Sequence, residues 1–352
     1  MQNSFFNIAD YKIAAQQAMS EGAWHYVDCG ADAEITKVEN ATAFEQIKFI
    51  PKRLTSHYAP DLSTTVLGQK VTSPIMLAPV SPLTLIHEEG ELAQARAAKA
   101  VGTIAMISTD CHYPLEEVVK EAESLWFQLY CYGDRSFLKR MIERVEQSGY
   151  KALVVTVDCV ILGNRERLLR HQFKMPDTVK MGNLDGFFQN QKEQLVSGSV
   201  ERIKLTWDDI RWMRNQTTLP LIVKGLVHPD DAKIAADLGV DAVVLSNHGG
   251  RQLDHSIPPI MMLEEIRSAV GDKIEVYIDG GIQRGTDVIK SICLGANAVL
   301  IGRSYIWGLA VAGCDGIVDV MRIFENEMRK SMIQLGVDRI QDLNRSYVRQ
   351  CY

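Results

Sequence analysis

The segment Ala242–Asp254, with the sequence AVVLSNHGGRQLD, is the starting point for interpreting this chain. Its first four residues are apolar and include two β-branched valines, which is typical of a parallel strand buried on both faces. Ser246 and His248 follow directly, so we expect both at the carboxyl end of that strand. Two glycines then let the backbone approach a ligand closely, and Arg251 adds a positive charge at the same edge. A base and an anion-binding group so close together suit a small carboxylate, and a merely solvated loop is the alternative.

Short apolar runs alternate with amphipathic segments through most of the chain. The pattern predicts strands at Ile75–Ala78, Thr103–Ser108, Leu125–Tyr130, Ala152–Asp158, Leu221–Lys224, Ala242–Ser246, Glu275–Asp279 and Ala298–Gly302. Predicted helices between them include Glu89–Ala100, Ser136–Gln147, Pro229–Leu238, Ile260–Val270 and Thr286–Leu294. Eight such units over about 250 residues predict an α/β fold, a parallel (β/α)8 TIM barrel. An open doubly wound sheet is the alternative, but no GxGxxG motif follows the first strand.

Two regions fall outside this regular alternation. Residues 1–50 predict an N-terminal helical cap, with helices at Phe5–Met19 and Ile35–Ile47, so the barrel is assigned to residues 51–345. A long, polar connection follows the fourth strand, and we expect its residues 170–205 to form a flexible lid loop over the barrel mouth.

Composition limits the classes of partner. The 352 residues contain 38 Lys and Arg against 44 Asp and Glu, a net charge of −6, and no long basic run. Nucleic acid and anionic membranes are therefore poor candidates. Seven scattered cysteines show neither CxxC pairs nor a disulfide framework, and no run approaches the ~20 apolar residues of a membrane span. We expect a cytoplasmic protein that acts on a small molecule and has no metal site.

Polar residues collect where the predicted strands end. They are Gln128, Tyr130, Thr156, Asp158, Lys224, Ser246, His248 and Asp279. The carboxyl ends of the strands form the catalytic face of a TIM barrel. Helix capping is the alternative for Asp158, Ser246 and Asp279. It does not explain Lys224, because a lysine that ends a buried strand is costly unless it meets an anion or a ligand.

Glycine-rich turns follow the last two predicted strands. Residues 279–285 (DGGIQRG) and 301–304 (IGRS) each lead into a helix. Such turns form the usual phosphate site of these barrels, with backbone N–H groups and arginines as donors. A phosphorylated substrate and a phosphorylated cofactor both fit. A redox cofactor lying across the mouth is the more economical explanation.

With these motifs, the chain resembles the FMN-dependent L-2-hydroxy acid oxidase and dehydrogenase family. That family includes glycolate oxidase, lactate oxidase, mandelate dehydrogenase and the flavin domain of flavocytochrome b2. The resemblance covers nearly the whole chain, and residues 246–254 match the family's signature. It implies FMN-dependent oxidation of an L-2-hydroxy acid to the 2-keto acid. The flavin would be reoxidised by oxygen, giving hydrogen peroxide, or by another acceptor, and the enzyme would be a homotetramer.

The resemblance also implies roles for individual residues. His248 would be the active-site base and Asp158 would orient it, while Tyr130 would bind the hydroxyl oxygen of the substrate. Lys224 would stabilise the reduced flavin, and Arg165 and Arg251 would hold the substrate carboxylate with help from Tyr26. The residues expected to bind FMN are Ala78, Ser81, Ser108, Gln128, Thr156, Lys224, Ser246, Asp279, Gly281, Arg284, Gly302 and Arg303.

Three positions depart from the family's usual pattern. Ser81 stands where relatives mostly have Ala or Gly, so the sequence does not decide whether the enzyme is an oxidase or a dehydrogenase. Asp110 replaces an aromatic residue; with His112 it suggests a substrate with a polar or basic tail, unless Asp110 turns away to cap the next turn. Gln283 stands where relatives usually have an arginine that contacts FMN, so FMN affinity is expected to be lower or to depend on Arg303.

Other functions remain open from the residues alone. One is an FMN barrel of another reaction type, such as a type 2 isopentenyl diphosphate isomerase. Another is a phosphate-binding barrel without flavin, and a third is a non-catalytic flavin-binding protein. The set of Arg165, His248 and Arg251 favours the oxidase or dehydrogenase.

Overall fold

The computed structural model describes residues 5–55, 59–184 and 203–351. The predicted lid, residues 170–205, lies partly outside these ranges, because residues 185–202 are not described. Within the described ranges, no helix combines the length and apolar character needed to span a bilayer.

Eight parallel strands form a closed barrel, so the predicted fold is confirmed. They are β4 (Ile75–Leu77), β5 (Ala105–Ser108), β6 (Leu125–Leu129), β7 (Leu153–Thr156), β8 (Leu221–Leu226), β9 (Ala242–Leu245), β10 (Glu275–Ile278) and β11 (Ala298–Ile301). Each strand pairs with its neighbour in sequence, and β11 closes the barrel against β4.

The region around Asp158 and Lys224 differs from the prediction. Strand β7 ends at Thr156, so Asp158 lies in the following loop, whereas β8 continues past Lys224 to Leu226. The register shifts between Lys224 and Leu226, and Gly225 has a φ of 111°. A Cβ atom at Gly225 would lie 2.7 Å from the Asp158 side chain. The bulge therefore lets Asp158 pack directly against β8.

Helices surround the barrel on its outer side. They are α4 (Gly90–Val101), α5 (Leu115–Val118), α6 (Arg135–Ser148), α8 (Trp207–Arg214), α9 (Pro229–Asp237), α10 (Pro259–Val270), α11 (Gly285–Cys293) and α12 (Arg303–Leu335). Helix α7 (Glu166–Arg170), in the connection after β7, instead contacts the amino-terminal helix Glu21–Asp28. The five predicted helices are present within one residue or two of their expected bounds.

The amino-terminal region is more complex than the predicted pair of helices. Helix α1 (Ile8–Ala18) packs on α12, α2 (Glu21–Asp28) carries Tyr26, and α3 (Ile35–Thr42) follows. The expected helix through Ile47 was too long: a 3₁₀ turn follows α3, and β1 (Ile47–Phe49) then pairs antiparallel with β12 (Val348–Gln350). This pairing joins the end of the amino-terminal region to the segment after α12.

A short hairpin packs against the interior of the barrel. It consists of β2 (Thr64–Val66) and β3 (Gln69–Val71), and its Val66 and Val71 belong to the same apolar cluster as Met76, Trp126 and Tyr277. The backbone N–H of Leu67 in its turn donates to Glu275 at the start of β10. The hairpin therefore covers the amino end of the barrel and leaves the carboxyl end for a site.

Candidate active site

A cavity of about 290 Å³ lies at the carboxyl ends of the strands. Most residues predicted for the site line it: Tyr26, Ala78, Ser81, Asp110, Tyr130, Thr156, Arg165, Lys224, His248, Arg251, Asp279, Gly281, Gly302 and Arg303. Ser108, Asp158 and Ser246 stand behind this lining and form hydrogen bonds with it. Gln128 lies one step further back and accepts a hydrogen bond from Ser108.

His248 and Asp158 form a partly buried ion pair. His248 Nδ1 lies 2.9 Å from Asp158 Oδ1, and the two side chains are 19% and 10% exposed. Burial lowers the pKa of His248, but Cys159 and Asp158 more than offset this and raise it to about 9. Burial raises the pKa of Asp158, but His248 and Lys224 lower it to about 2. The carboxylate therefore stays ionised and stabilises the protonated imidazole.

The backbone of His248 is fixed as firmly as its ring. The residue has a φ of 57°, and its N–H donates to Ser246 Oγ over 3.0 Å. The preceding residue, Asn247, exchanges two hydrogen bonds with Asn40 of α3. Asp254 accepts from the backbone N–H groups of Ile35 and Thr36, at the start of the same helix. The loop that carries the histidine is therefore docked on the amino-terminal region.

Lys224 meets an anion, as its place in a buried strand required. Its Nζ donates to Ser246 Oγ over 2.7 Å and lies 3.0 Å from Asp279 Oδ2. Burial disfavours the ammonium, but Asp279 and Asp158 outweigh that effect and raise the pKa of Lys224. The cavity thus keeps a fixed positive charge on its floor.

Two arginines face the cavity beside the histidine. The Arg251 guanidinium donates to the carbonyls of Tyr26, Val27 and Cys29, which hold it in place. The Nε of Arg165 is buried without a hydrogen-bond partner among the described residues, and burial together with Arg251 lowers the pKa of Arg165. Two like charges in one partly buried space are unfavourable until an anion joins them. The arrangement is suited to a carboxylate.

Buried polar atoms without partners indicate where a cofactor fits. Ser81, Ser108 and Gln128 form a hydrogen-bond chain, from Ser81 Oγ to Ser108 Oγ (3.0 Å) and on to Gln128 Oε1 (2.8 Å). Among the described residues, Gln128 Nε2, Thr156 Oγ1 and Asp279 Oδ1 are buried without a partner. Buried polar groups are normally hydrogen-bonded. These donors and acceptors suit the polar edge of a flavin ring and its ribityl chain.

The expected phosphate end of the site is only partly as predicted. Gly302 precedes α12, and the Arg303 guanidinium donates to the carbonyls of Val27, Gly249 and Cys29. Burial and Arg251 lower the pKa of Arg303 to about 10. Arg284, predicted to bind FMN, does not line the cavity: its guanidinium lies 2.9 Å from Glu327, whereas Gln283 lines the cavity.

The two residues proposed to select the substrate tail behave differently. Asp110 lines the cavity, and the Tyr132 hydroxyl lies 3.0 Å from both of its carboxylate oxygens. His112 does not line the cavity; its Nδ1 accepts from the backbone N–H of Lys180. Of the two residues, only Asp110 therefore faces the proposed substrate.

Cys159 was missed by the sequence analysis. Its sulfur lies 3.3 Å from His248 Nδ1. The available signal was its position directly after Asp158, at the end of a strand already assigned to the site.

Comparison with known proteins agrees with this geometry. Residues 15–350 match the sequence model of the FMN-dependent dehydrogenases. The chain is 41% identical to L-lactate oxidase of Nostoc sp. over 98% of both chains. It is 38% identical to 2-hydroxyacid oxidase 1 of Homo sapiens over 97% of this chain and 96% of that one. It is also similar to a crystal structure of mandelate oxidase, with a TM-score of 0.93 and 34% identity over 99% of both chains.

Proposed function

The chain belongs to the family of FMN-dependent dehydrogenases, and we propose that the cavity at its barrel mouth is the site of catalysis. The protein is an FMN-dependent enzyme that oxidises a 2-hydroxy acid to the 2-keto acid, with oxygen or another compound as the final acceptor. FMN, when bound, supplies a two-electron acceptor beside the substrate carbon. The observation that supports this site most directly is the convergence of Arg165 and Arg251 on His248.

Arg165 and Arg251 bind the substrate carboxylate in this proposal. A carboxylate between them would offset the burial and the repulsion by Arg251 that lower the pKa of Arg165. The Tyr26 hydroxyl, which now donates to the Ser81 carbonyl over 3.2 Å, would reorient to donate to the same carboxylate. Binding through two arginines fixes the acid in one orientation, which places its α-carbon toward His248.

His248 acts as the base. Because Nδ1 is held by Asp158, Nε2 is the nitrogen that takes a proton from the CH–OH unit of the substrate. Asp158 stabilises the imidazolium that results, and the Tyr130 hydroxyl orients the substrate oxygen. The base must be neutral to act, so its raised pKa means that activity increases with pH.

The residues along the strand ends hold FMN. Lys224 provides the positive charge that offsets negative charge on the reduced ring, and Gln128 and Thr156 provide hydrogen-bonding atoms that lack partners among the described residues. The other proposed contacts are Ala78, Ser81, Ser108, Ser246, Asp279, Gly281, Gly302 and Arg303. The start of α12, with its free backbone N–H groups, supports binding of the phosphate there.

The substrate tail is proposed to be polar or cationic. Asp110 supports this, because it lines the cavity and its orientation is set by Tyr132. A carboxylate in the wall repels a second carboxylate on the substrate and attracts a positive group.

Assembly and location are proposed from the family and from the cysteines. We expect a homotetramer, and light scattering on the purified protein would give four times the chain mass of 39.4 kDa. The seven cysteines form no disulfide, which supports a reducing cytoplasmic location and can be checked by cell fractionation.

Oxygen uptake and peroxide release with a panel of 2-hydroxy acids test the proposal. The panel should contain glycolate, L-lactate, (S)-mandelate, one dicarboxylic acid and one acid with a cationic tail. We expect turnover of at least one acid, and Arg165→Met should raise KM far more than it lowers kcat. Equal KM values for Arg165→Met and the unmodified enzyme would contradict the proposal that Arg165 binds the substrate carboxylate.

A further inference from the structure

The thiol of Cys159 lies inside the group of residues proposed for proton transfer. Its sulfur is 3.3 Å from His248 Nδ1, 3.4 Å from Asp158 Oδ1 and 3.9 Å from the Tyr130 hydroxyl. The residue is 5% exposed. A cysteine, a histidine and a carboxylate within mutual contact form the arrangement that activates thiols in several enzymes.

Small molecules have space to reach this sulfur from two sides. Cys159 and Thr156 line the active-site cavity, and both also line a second cavity of about 220 Å³. The walls of that second cavity include Leu205, Trp207 and Leu226, which are apolar. A small neutral molecule such as hydrogen peroxide therefore has room beside the thiol.

The imidazole of His248 is placed to exchange a proton with the thiol. Its Nδ1 lies 3.3 Å from the sulfur, and transfer of the thiol proton to the imidazole gives a thiolate beside an imidazolium. Asp158 holds that imidazolium in place through the 2.9 Å contact. The thiolate is the species that attacks peroxides.

We propose that Cys159 is a site of oxidation by hydrogen peroxide, and that its conversion to sulfenic acid stops turnover. The proposal rests on the proposed function, because oxygen as the acceptor supplies the peroxide within the same cavity. The thiolate sulfur attacks one peroxide oxygen, so that an S–O bond forms and the O–O bond breaks. The departing hydroxide takes a proton from the His248 imidazolium and leaves as water. The sulfur is oxidised by two electrons and the peroxide is reduced by two.

The added oxygen accounts for the loss of activity. It lies within reach of His248 and Asp158, where it competes for the hydrogen bond that orients the base. Sulfenic acid is reduced by thiols, so the loss is reversible until further oxidation occurs. A product of the reaction would thus limit the enzyme at high turnover.

Treatment of the purified holoenzyme with hydrogen peroxide, without substrate, tests the chemistry directly. Activity is sampled over time as a fraction of each protein's own starting rate, for the unmodified enzyme, Cys159→Ser and Cys351→Ser. Cys351 is exposed and near the carboxyl terminus, so Cys351→Ser is the matched control for general thiol oxidation. We expect Cys159→Ser to lose activity at least about tenfold more slowly, Cys351→Ser to follow the unmodified enzyme, and dithiothreitol to restore activity. Loss of activity in Cys159→Ser at the unmodified rate would overturn the proposal.

Labelling keeps the test independent of activity. Dimedone traps sulfenic acid, and mass spectrometry of the treated enzyme should find the label on the peptide that contains Cys159. Label confined to other cysteines would overturn the proposal even if Cys159→Ser were inactive. This arm needs no turnover, so it also separates failure of the thiol chemistry from failure of the proposed function. A second arm, turnover with and without catalase, should show protection by catalase.

Discussion

The two ends of the barrel are built from the same strands but carry different side chains. At the middle of β6, β8 and β10 the residues of the inner apolar cluster are Trp126, Ile222 and Tyr277. Two residues further along the same strands or just past them are Gln128, Lys224 and Asp279. Side chains alternate between the two faces of a strand, so residues two positions apart point the same way. On each of these strands the apolar and the polar residue therefore both face the barrel interior.

The change from apolar to polar over two residues separates stability from function. The lower layer is closed by the β2–β3 hairpin and excludes water, so it contributes by burial. The upper layer keeps buried charges, such as Lys224 paired with Asp279, whose attraction little more than offsets the cost of removing them from water. Substitutions in the two layers should therefore affect different measurements.

Removing the base should have the largest effect on activity. We expect His248→Gln to lower kcat by about 10²- to 10⁴-fold, because general base catalysis is lost while the fold remains. Steady-state kinetics gives the rate, and thermal unfolding with FMN bound should change little. His112→Gln, whose ring lies outside the cavity, is the control and should keep its rate. A normal kcat in His248→Gln would contradict the assignment of catalysis to the polar layer.

The lower layer should show the reverse behaviour. Trp126 is fully buried in the barrel interior, so Trp126→Ala should lower the free energy of unfolding by about 3–5 kcal/mol. Trp212 on α8 is only partly buried, and Trp212→Ala should cost less. The midpoint of urea unfolding measures both. The kcat of Trp126→Ala should be calculated per folded enzyme with FMN bound. If this kcat fell sharply while the unfolding midpoint did not change, the assignment of Trp126 to the stabilising layer would be contradicted.

The pH dependence should report the His248–Asp158 pair. The base acts when neutral, so kcat/KM should rise as the pH passes through the pKa of His248, near 9 for the free enzyme. Asp158→Asn removes a charge that raises this pKa, so the rise should move about 1–2 pH units lower, with a reduced maximum. Asp110→Asn is the control, because it removes a carboxylate that lines the same cavity but accepts from Tyr132 rather than pairing with His248. Its rise should stay at the pH of the unmodified enzyme. A rise that stays at the same pH in Asp158→Asn would refute the pairing.

The smallest effects are expected at Gln283 and Arg284, which are neighbours that face different ways. Arg284 pairs with Glu327 at the surface, so Arg284→Ala should leave the Kd of FMN nearly unchanged. Gln283→Arg adds a cation that faces the cavity, and should tighten FMN binding by about tenfold. Fluorescence titration of the apoprotein measures both constants. The opposite order of effects would mean that Arg284 turns inward when FMN binds.

Much of this architecture could be predicted from the sequence, for a specific physical reason. Eight apolar runs of strand length predict the barrel, and the polar residues at the ends of β6 to β10 indicate the face that carries the site. Contacts between distant segments gave no such signal: the pairing of β1 with β12, which ended α3 early, joins residues 47 and 350. The sequence also does not show which way each side chain in a turn faces. Arg284 was therefore expected to bind FMN, although its guanidinium lies against Glu327, and Cys159 was overlooked.

The most direct test is the visible absorbance of the yellow holoenzyme, mixed without oxygen with each acid of the panel. We expect at least one 2-hydroxy acid to bleach the flavin of the unmodified enzyme rapidly, and His248→Gln to bind FMN but keep its oxidised spectrum. Recolouring in air then identifies oxygen as the acceptor. A flavin that no 2-hydroxy acid bleaches, or equal bleaching rates in the two proteins, would contradict the proposed site.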